Sequence, residues 1–264
     1  MLLAGKTAVI YGAAGHIGAA TARAFARDGA RLFLAGRTLE KVEKIAAEIR
    51  AGGGEVEAAQ VDALDKAAVD RHFAGIVEKA GNIDVSFNAI SIRGDLQGTP
   101  VVDMTLEDFT TPVVMGVSTH FLTATAAARH MAPRGSGVIL TMSSTAAGLS
   151  GRDHMMHSVG GFAVACTAIE ALSRTLAGQL GPKGVRVVCL RSDGLPETWP
   201  ADFAEKWPEQ HLRISQYMHG GTLRGRLPLL EEVANAAVFA ASDRASAMIG
   251  TILNLTCGSV LDSN

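Results

Sequence analysis

Cysteine is scarce in this chain of 264 residues: only Cys166, Cys189 and Cys257 occur, and no two of them share a CxxC spacing. An odd, scattered set of thiols builds neither a disulfide framework nor a cysteine metal site, and it points to a reducing compartment. An excess of one charge is missing as well, with 24 Lys and Arg against 26 Asp and Glu. That balance gives no electrostatic case for nucleic acid or an anionic membrane as partner. No stretch reaches the roughly 18 uninterrupted apolar residues of a membrane span. The apolar run at the N-terminus lacks a charged flank and is needed as the first strand, so it does not read as a signal peptide. Nor does a Pro/Ser-rich linker or a run of like charge divide the chain. The expectation is one soluble, cytoplasmic domain over residues 1–264, able to bury most of its apolar surface, with no metal site.

Glycine, by contrast, is plentiful at 29 residues, and three glycines organise the stretch KTAVIYGAAGHIGAATARAFARDG at positions 6–29. Thr7 to Tyr11 is a short apolar run with β-branched residues at three positions, a buried strand by pattern. Gly12 opens a turn. Ala19, Ala22, Phe25 and Ala26 then recur at helical spacing, so a helix begins by about Ile17. A turn of this kind presents backbone N–H groups at a helix N-terminus, a site for phosphate. Gly12, Gly15 and Gly18 meet the three demands of a dinucleotide fold: positive φ in the turn, close backbone approach to a pyrophosphate, and close helix-to-strand contact. His16, among them, is read either as an anion contact or as an outward-facing imidazole. The second strand, RLFLAG, ends at Gly36 and Arg37, where a fold that binds NAD keeps an acidic residue for the ribose hydroxyls. A guanidinium there suits a 2′-phosphate, so NADP(H) is expected ahead of NAD(H).

The rest of the chain keeps a βα rhythm. Thr38 is a plausible N-cap for LEKVEKIAAEIR, which stops at residues 52–54. Strand EVEAAQV ends at Asp62, placed either beside an adenine or as a polar turn residue. A helix runs on to about Ala80, and strand Ile83 to Phe87 closes on Asn88 and Ala89. Strands separated by helices of this length imply right-handed crossovers and a parallel sheet. Leu106 to Met131 reads as one or two helices broken near Pro112 to Gly116. Strand Gly137 to Thr141 leads into Ser143 and Ser144, followed by a polar loop that carries His154 and His157. A long helix spans about Phe162 to Leu180, and strand six is Val185 to Leu190. The segment Trp199 to Gly221, with Trp199, Trp207 and Tyr217, interrupts the rhythm at the carboxyl edge of the sheet. It is the natural lid over a substrate, at about residues 195–225. Glu231 to Ala241 is the last helix and Thr251 to Leu255 the last strand.

YGAAGHIG at 11–18, the Asp62 turn, FNAIS at 87–91, TMSST at 141–145, LSRTLAGQLGPKGVRVVCL at 172–190 and GTILNLTCG at 250–258 together resemble the short-chain dehydrogenase/reductase (SDR) family over nearly the whole chain. The resemblance implies an α/β fold, a Rossmann-type doubly wound seven-stranded parallel sheet with helices on both faces. It also implies a homo-oligomer, tetramer or dimer, built through the long helix, and a small-molecule substrate. Cofactor contacts are implied at Gly12, Gly15, His16, Ile17, Gly18, Arg37, Asp62, Ala63, Asn88, Ala89, Ile90 and Thr198. Departures accompany the matches. The middle glycine of the family's TGxxxGxG falls on His16, so the glycines resemble instead the TGxxGxxG spacing of its extended members. The family's catalytic YxxxK falls on Phe162 and Cys166, and its active-site asparagine on Gly116. Of that tetrad only the serine remains, at Ser144, and the loop from there to Phe162 is longer than the family's.

Tyr11 and Tyr217 are the only tyrosines, and beyond Lys79 the only lysines are Lys183 and Lys206, so no Tyr/Lys pair forms at the usual place. Phenylalanine has no proton to give, and a cysteine carries no positive charge. Hydride delivery belongs to the cofactor. A substitute proton donor is therefore sought at His154 or His157, with Ser144 polarising the same substrate oxygen, or at Tyr217 of the lid. Three readings stay open. The first is an NADP(H)-dependent oxidoreductase with a degenerate tetrad, acting on an apolar carbonyl, enone or alcohol. The second is an inactive cofactor-binding protein, a sensor or partner subunit, and the third is a non-redox enzyme that reuses the pocket.

Overall fold

In the computed structural model, residues 1–148 and 158–261 are described. Seven strands, β1 (Thr7–Tyr11), β2 (Arg31–Gly36), β3 (Val56–Gln60), β4 (Val85–Asn88), β5 (Gly137–Ser144), β6 (Val185–Ser192) and β7 (Ile252–Leu255), form one sheet in the order β3-β2-β1-β4-β5-β6-β7. Every neighbouring pair is parallel. Eight helices are described: α1 (His16–Arg27), α2 (Leu39–Ala51), α3 (Lys66–Ala80), α4 (Leu106–Met131), α5 (Gly160–Leu180), α6 (Phe203–Lys206), α7 (Pro208–Gly220) and α8 (Leu230–Ala241).

Strand alternation splits the core in two. Ala8 and Ile10 of β1, with Leu32 and Leu34 of β2, pack into one cluster with Phe25 of α1, Ile45 of α2 and Val233 of α8. Val9, Tyr11, Phe33 and Ala35 point the other way, onto Phe73 of α3, Met131 of α4 and Leu176 of α5. Both faces of the sheet are thus buried under helices, which is why its strands read as apolar runs rather than alternating ones. The order reverses between β1 and β4, so a crevice opens at their carboxyl ends, where doubly wound folds bind ligands.

The chain departs from expectation in a few places. α4 is one helix through Pro112, with no break near Gly116. Proline removes one backbone donor and costs about 3 kcal/mol inside a helix, and tertiary packing outweighs that. Gly161 of α5 lets α4 approach so closely that a Cβ there would lie 1.9 Å from the Phe109 carbonyl oxygen and 3.0 Å from Pro112. β5 and β6 run past their predicted ends to Ser144 and Ser192, which pair in register and carry the sheet into the crevice. Thr38 holds the N-cap position of α2 without a side-chain bond. The cap of α3 is Asp65, whose carboxylate accepts from the N–H groups of Ala67 and Ala68.

Candidate active site

The phosphate end of the crevice is made of backbone. Gly12 has φ +76°, and a Cβ there would lie 2.7 Å from Ala89 and Ile90 backbone atoms. A Cβ on Gly18 would lie 2.3 Å from the Gly12 carbonyl oxygen. Both positions therefore admit glycine alone. Gly15 is the N-cap of α1 and brings no side chain to it. Among the described residues the N–H groups of His16, Ile17 and Gly18 have no backbone acceptor, the ordinary state of a first helical turn and a fit to an anion. His16 itself is exposed. On the far side, Ala89 N–H donates to the Tyr11 carbonyl at 2.9 Å. Asn88, buried, donates to Thr123 Oγ1 at 3.1 Å and accepts from Ile90 N–H at 3.0 Å. These bonds lock residues 88–90 beside Gly12.

Arg37 follows β2, is exposed, and makes no ion pair among the described residues; Gln60 Nε2 donates to its carbonyl at 3.0 Å. Asp62 is exposed and accepts from Leu64 N–H at 3.0 Å, with Ala63 buried behind it. Thr198 lies past β6 in a short turn, its hydroxyl donating to the Leu195 carbonyl at 2.7 Å.

At the other end, side chains decide. Ser144 ends β5 and its Oγ accepts from Ala146 N–H at 3.2 Å. Cys166 is fully buried against it. Burial pushes the thiol up to about 12, against hydrogen bonds to Ser144 that pull it down, so it is neutral at pH 7 and carries no charge. Phe162, half-buried, joins Cys166, Ala146 and Val159 in a small apolar cluster with Ile92 and Ala147. A Cβ on Gly116 would lie 3.3 Å from Ile92 and 3.4 Å from Ala165. Ser144, Phe162, Cys166 and Gly116 thus converge, whereas His154 and His157 lie outside the described residues. Tyr217, half-buried, sits on α7 in the segment that follows β6. This segment carries an aromatic cluster of Trp199, Phe203, Trp207 and His211. It packs onto the end of β6, where a Cβ on Gly194 would meet Met218 at 2.5 Å.

Sequence reasoning missed three groups here. His120, one turn beyond Gly116, is fully buried, and burial lowers its pKa to about 4. Its Nδ1 lies 2.8 Å from the Gly116 carbonyl and its Nε2 3.3 Å from Met142 N–H. A carbonyl only accepts and an N–H only donates, so the imidazole is neutral with the proton on Nδ1. It ties α4 to β5 two residues before Ser144. Glu170 of α5 and Arg191 of β6 form a buried ion pair, Nε to Oε1 and Nη2 to Oε2 both at 2.7 Å, and Ser143 Oγ donates to the same carboxylate at 2.7 Å. Asp193 follows β6 at the same edge. A charge set within the apolar runs CTAIEAL and VVCLRS was the available signal for the Glu170–Arg191 pair, since an unpaired ion is rarely buried. Among the described residues no helix is long and apolar enough to cross a membrane, and no group of three His, Cys, Asp or Glu is placed to hold a metal.

Residues 12–259 match the family model described as Enoyl-(Acyl carrier protein) reductase. D-threitol dehydrogenase of Mycolicibacterium smegmatis is 29% identical over 262 residues, 97% of this chain and 93% of that protein. The uncharacterized oxidoreductase YxbG of Bacillus subtilis is 31% identical over 251 residues, 94% of this chain and 88% of that one. The crystal structure of NAD+-bound xylitol dehydrogenase superposes with a TM-score of 0.85 at 25% identity, covering 98% of this chain and all of that one. Such relatives are dehydrogenases and reductases, and together with the strand order and the glycine turn they establish that this chain belongs to the short-chain dehydrogenase/reductase family of NAD(P)-binding oxidoreductases.

Proposed function

We propose that the protein is an NADP(H)-dependent oxidoreductase with a degenerate catalytic tetrad, acting on an apolar, activated carbonyl or enone. The observation that carries this reading is the pairing of a complete phosphate turn with a chemical end that is neutral and apolar around Ser144. Hydride chemistry is supplied by the nicotinamide when it is bound. The N–H groups of His16, Ile17 and Gly18 hold the pyrophosphate, Arg37 the 2′-phosphate, and Asp62 with Ala63 flank the adenine. Asn88, Ala89 and Ile90 form the floor, and Thr198 closes the nicotinamide side with the lid. In this reading one domain, residues 1–264, carries the whole site.

Ser144 donates a hydrogen bond to the substrate oxygen. Phe162 and Cys166 take the places of the tyrosine and lysine that elsewhere lower the barrier by proton transfer. Neither replacement has a proton to give at neutral pH: the ring has none, and the buried thiol holds its own. A substrate that stabilises developing charge by conjugation needs less help, which favours an enone or electron-poor carbonyl over a simple ketone. Where a donor is needed, His154 or His157 supplies it, with Tyr217 next in line. The test measures NADPH consumption against enones and ketones, then kcat/KM of His154→Gln and His157→Gln across pH 5 to 9. Wild-type rates and an unchanged pH profile in both variants would remove the loop histidines from the reading. The apolar packing of Phe162 and Cys166 also favours a second reading, a cofactor-binding protein without turnover. Tight NADPH binding with no consumption on any substrate selects it.

A further inference from the structure

Asp193 stands one residue beyond the Ser144–Ser192 register pair, at the carboxyl edge where β5 and β6 leave the sheet. Its carboxylate gathers three donors from three parts of the chain. Thr145 Oγ1, next to Ser144, donates to Oδ1 at 3.3 Å, Gly194 N–H donates to Oδ1 at 2.7 Å, and Ser259 Oγ donates to Oδ2 at 2.5 Å. Ser259 belongs to a turn at residues 256–260 that follows β7. That turn is itself ordered: Thr256 Oγ1 donates to Asn254 Oδ1 at 2.6 Å, and Asn254 Nδ2 donates to the Val260 carbonyl at 2.8 Å. Val260 lies over Gly148, where a Cβ would meet it at 2.9 Å, and Leu223 lies over Gly258, where a Cβ would meet it at 2.7 Å.

We infer that Asp193 is a positioning residue that latches the turn at 256–260 onto the end of β5, so that this turn forms a wall at the nicotinamide end of the site and Ser144 is held at a fixed depth. A carboxylate fits the task because it only accepts, and here every partner donates. Remove it, and two hydroxyls and an N–H lose a common acceptor, freeing the turn from the sheet edge. The ligand-binding part of this inference rests on the proposed NADP(H) reading; the latch itself does not.

Two measurements separate the two. Hydrogen exchange on the protein without cofactor compares wild type with Asp193→Ala, Asp193→Asn and Ser259→Ala. The expected result is at least tenfold faster exchange at residues 145–148 and 256–260 in Asp193→Ala, a smaller change in the same peptides in Ser259→Ala, partial recovery in Asp193→Asn, and no change in α1 or β1. Calorimetry then compares NADPH with 2′,5′-ADP, which ends before the nicotinamide. Asp193→Ala is expected to lose about tenfold in NADPH affinity and less than twofold for 2′,5′-ADP. Unchanged exchange at both peptides in Asp193→Ala and Ser259→Ala overturns the latch. An equal loss for both ligands, or none for either, overturns its placement at the nicotinamide end. Failure of the wild type to bind either ligand sinks the NADP(H) reading while the exchange data still decide the latch.

Discussion

The two ends of the crevice are held by different means. At the phosphate end the shape is set by main-chain atoms in contact: Gly18 against the Gly12 carbonyl, Gly12 against Ala89 and Ile90. At the chemical end it is set by side chains in ordinary packing, with Phe162, Cys166, Ala146 and Ile92 in one small cluster around Ser144. Backbone contact leaves no room for substitution, so a chain that still builds that turn keeps its glycines. Side-chain packing does leave room, so residues such as Phe162 and Cys166 can be exchanged while the fold stands. The two ends are therefore separable in this protein, and each can be attacked without the other.

The largest effect is expected from Gly18→Ala. The added methyl falls 2.3 Å from a carbonyl oxygen on rigid backbone, so either β1 or α1 must move. Strain of this kind belongs with the rare substitutions that cost more than about 4 kcal/mol, and denaturant unfolding together with NADPH titration reads both losses. Phe162→Tyr, by the same measurements, is expected to stay within about 1 kcal/mol of wild type, because the position is half-buried and the ring is kept. Equal stability of Gly18→Ala and wild type would erase the contrast between the two ends.

Next comes the rate. A positioned general acid contributes roughly 10² to 10⁴, so simple ketones are expected to turn over slower by about that factor than activated enones do, measured as kcat/KM with NADPH. Robust ketone turnover that survives Ser144→Ala would place the chemistry away from Ser144, Phe162 and Cys166.

This difference between the ends also explains what the sequence made legible. Glycines that backbone contact requires, with a strand before and a helix after, were visible as spacing, and so were the sheet, its parallel sense and the long helix. Pro112 misled because its local cost is plain in sequence while the packing that offsets it, Gly161 against Phe109, spans two elements. Ser144 was readable as a residue just past a strand predicted to end at Thr141, although β5 runs on to include it. His120 was not, for its partners are the backbone carbonyl of Gly116 and the backbone N–H of Met142, groups that carry no signature in the sequence. Asp193 is invisible for a similar reason, since two of its three donors come from residues 145 and 259, far from it in the chain.

A third effect depends on pH. Burial holds His120 and His72 both at about 4, well under the unfolded value of about 6.5. Between those pH values the unfolded chain binds protons that the folded chain refuses. Stability is thus complete above about pH 6.5 and falls as pH drops toward 4, by on the order of 3 kcal/mol for His120. His72 Nδ1 and the Tyr11 hydroxyl share a hydrogen bond of 2.8 Å behind the phosphate turn, whereas His120 sits at the chemical end. Urea unfolding at pH 7, 6, 5 and 4.5 is expected to show a shallower fall in His120→Gln and in His72→Gln than in wild type. Hydrogen exchange at pH 5 then tells which end loosens first. A stability that is flat from pH 7 to 4.5 in the wild type would show that neither imidazole is held neutral by the fold.

The smallest effect tests whether the phosphate end selects its ligand or only admits it. Arg37 is anchored at its carbonyl by Gln60 and its guanidinium has no carboxylate partner among the described residues, so a 2′-phosphate need not break an existing pair to engage it. A charge-assisted hydrogen bond is worth roughly 1.5 to 3 kcal/mol. Because the side chain is exposed, solvent and salt screen it, and the lower part of that range is expected. Wild type should therefore bind NADPH about tenfold more tightly than NADH, a preference that shrinks as ionic strength rises. Arg37→Ala should weaken NADPH by that factor and leave NADH unchanged, because NADH presents no phosphate at that place. Calorimetry with both cofactors at low and high salt separates the cases. Equal affinities in the wild type would mean that the turn at residues 12–18 binds the pyrophosphate common to both cofactors and that nothing after β2 discriminates between them.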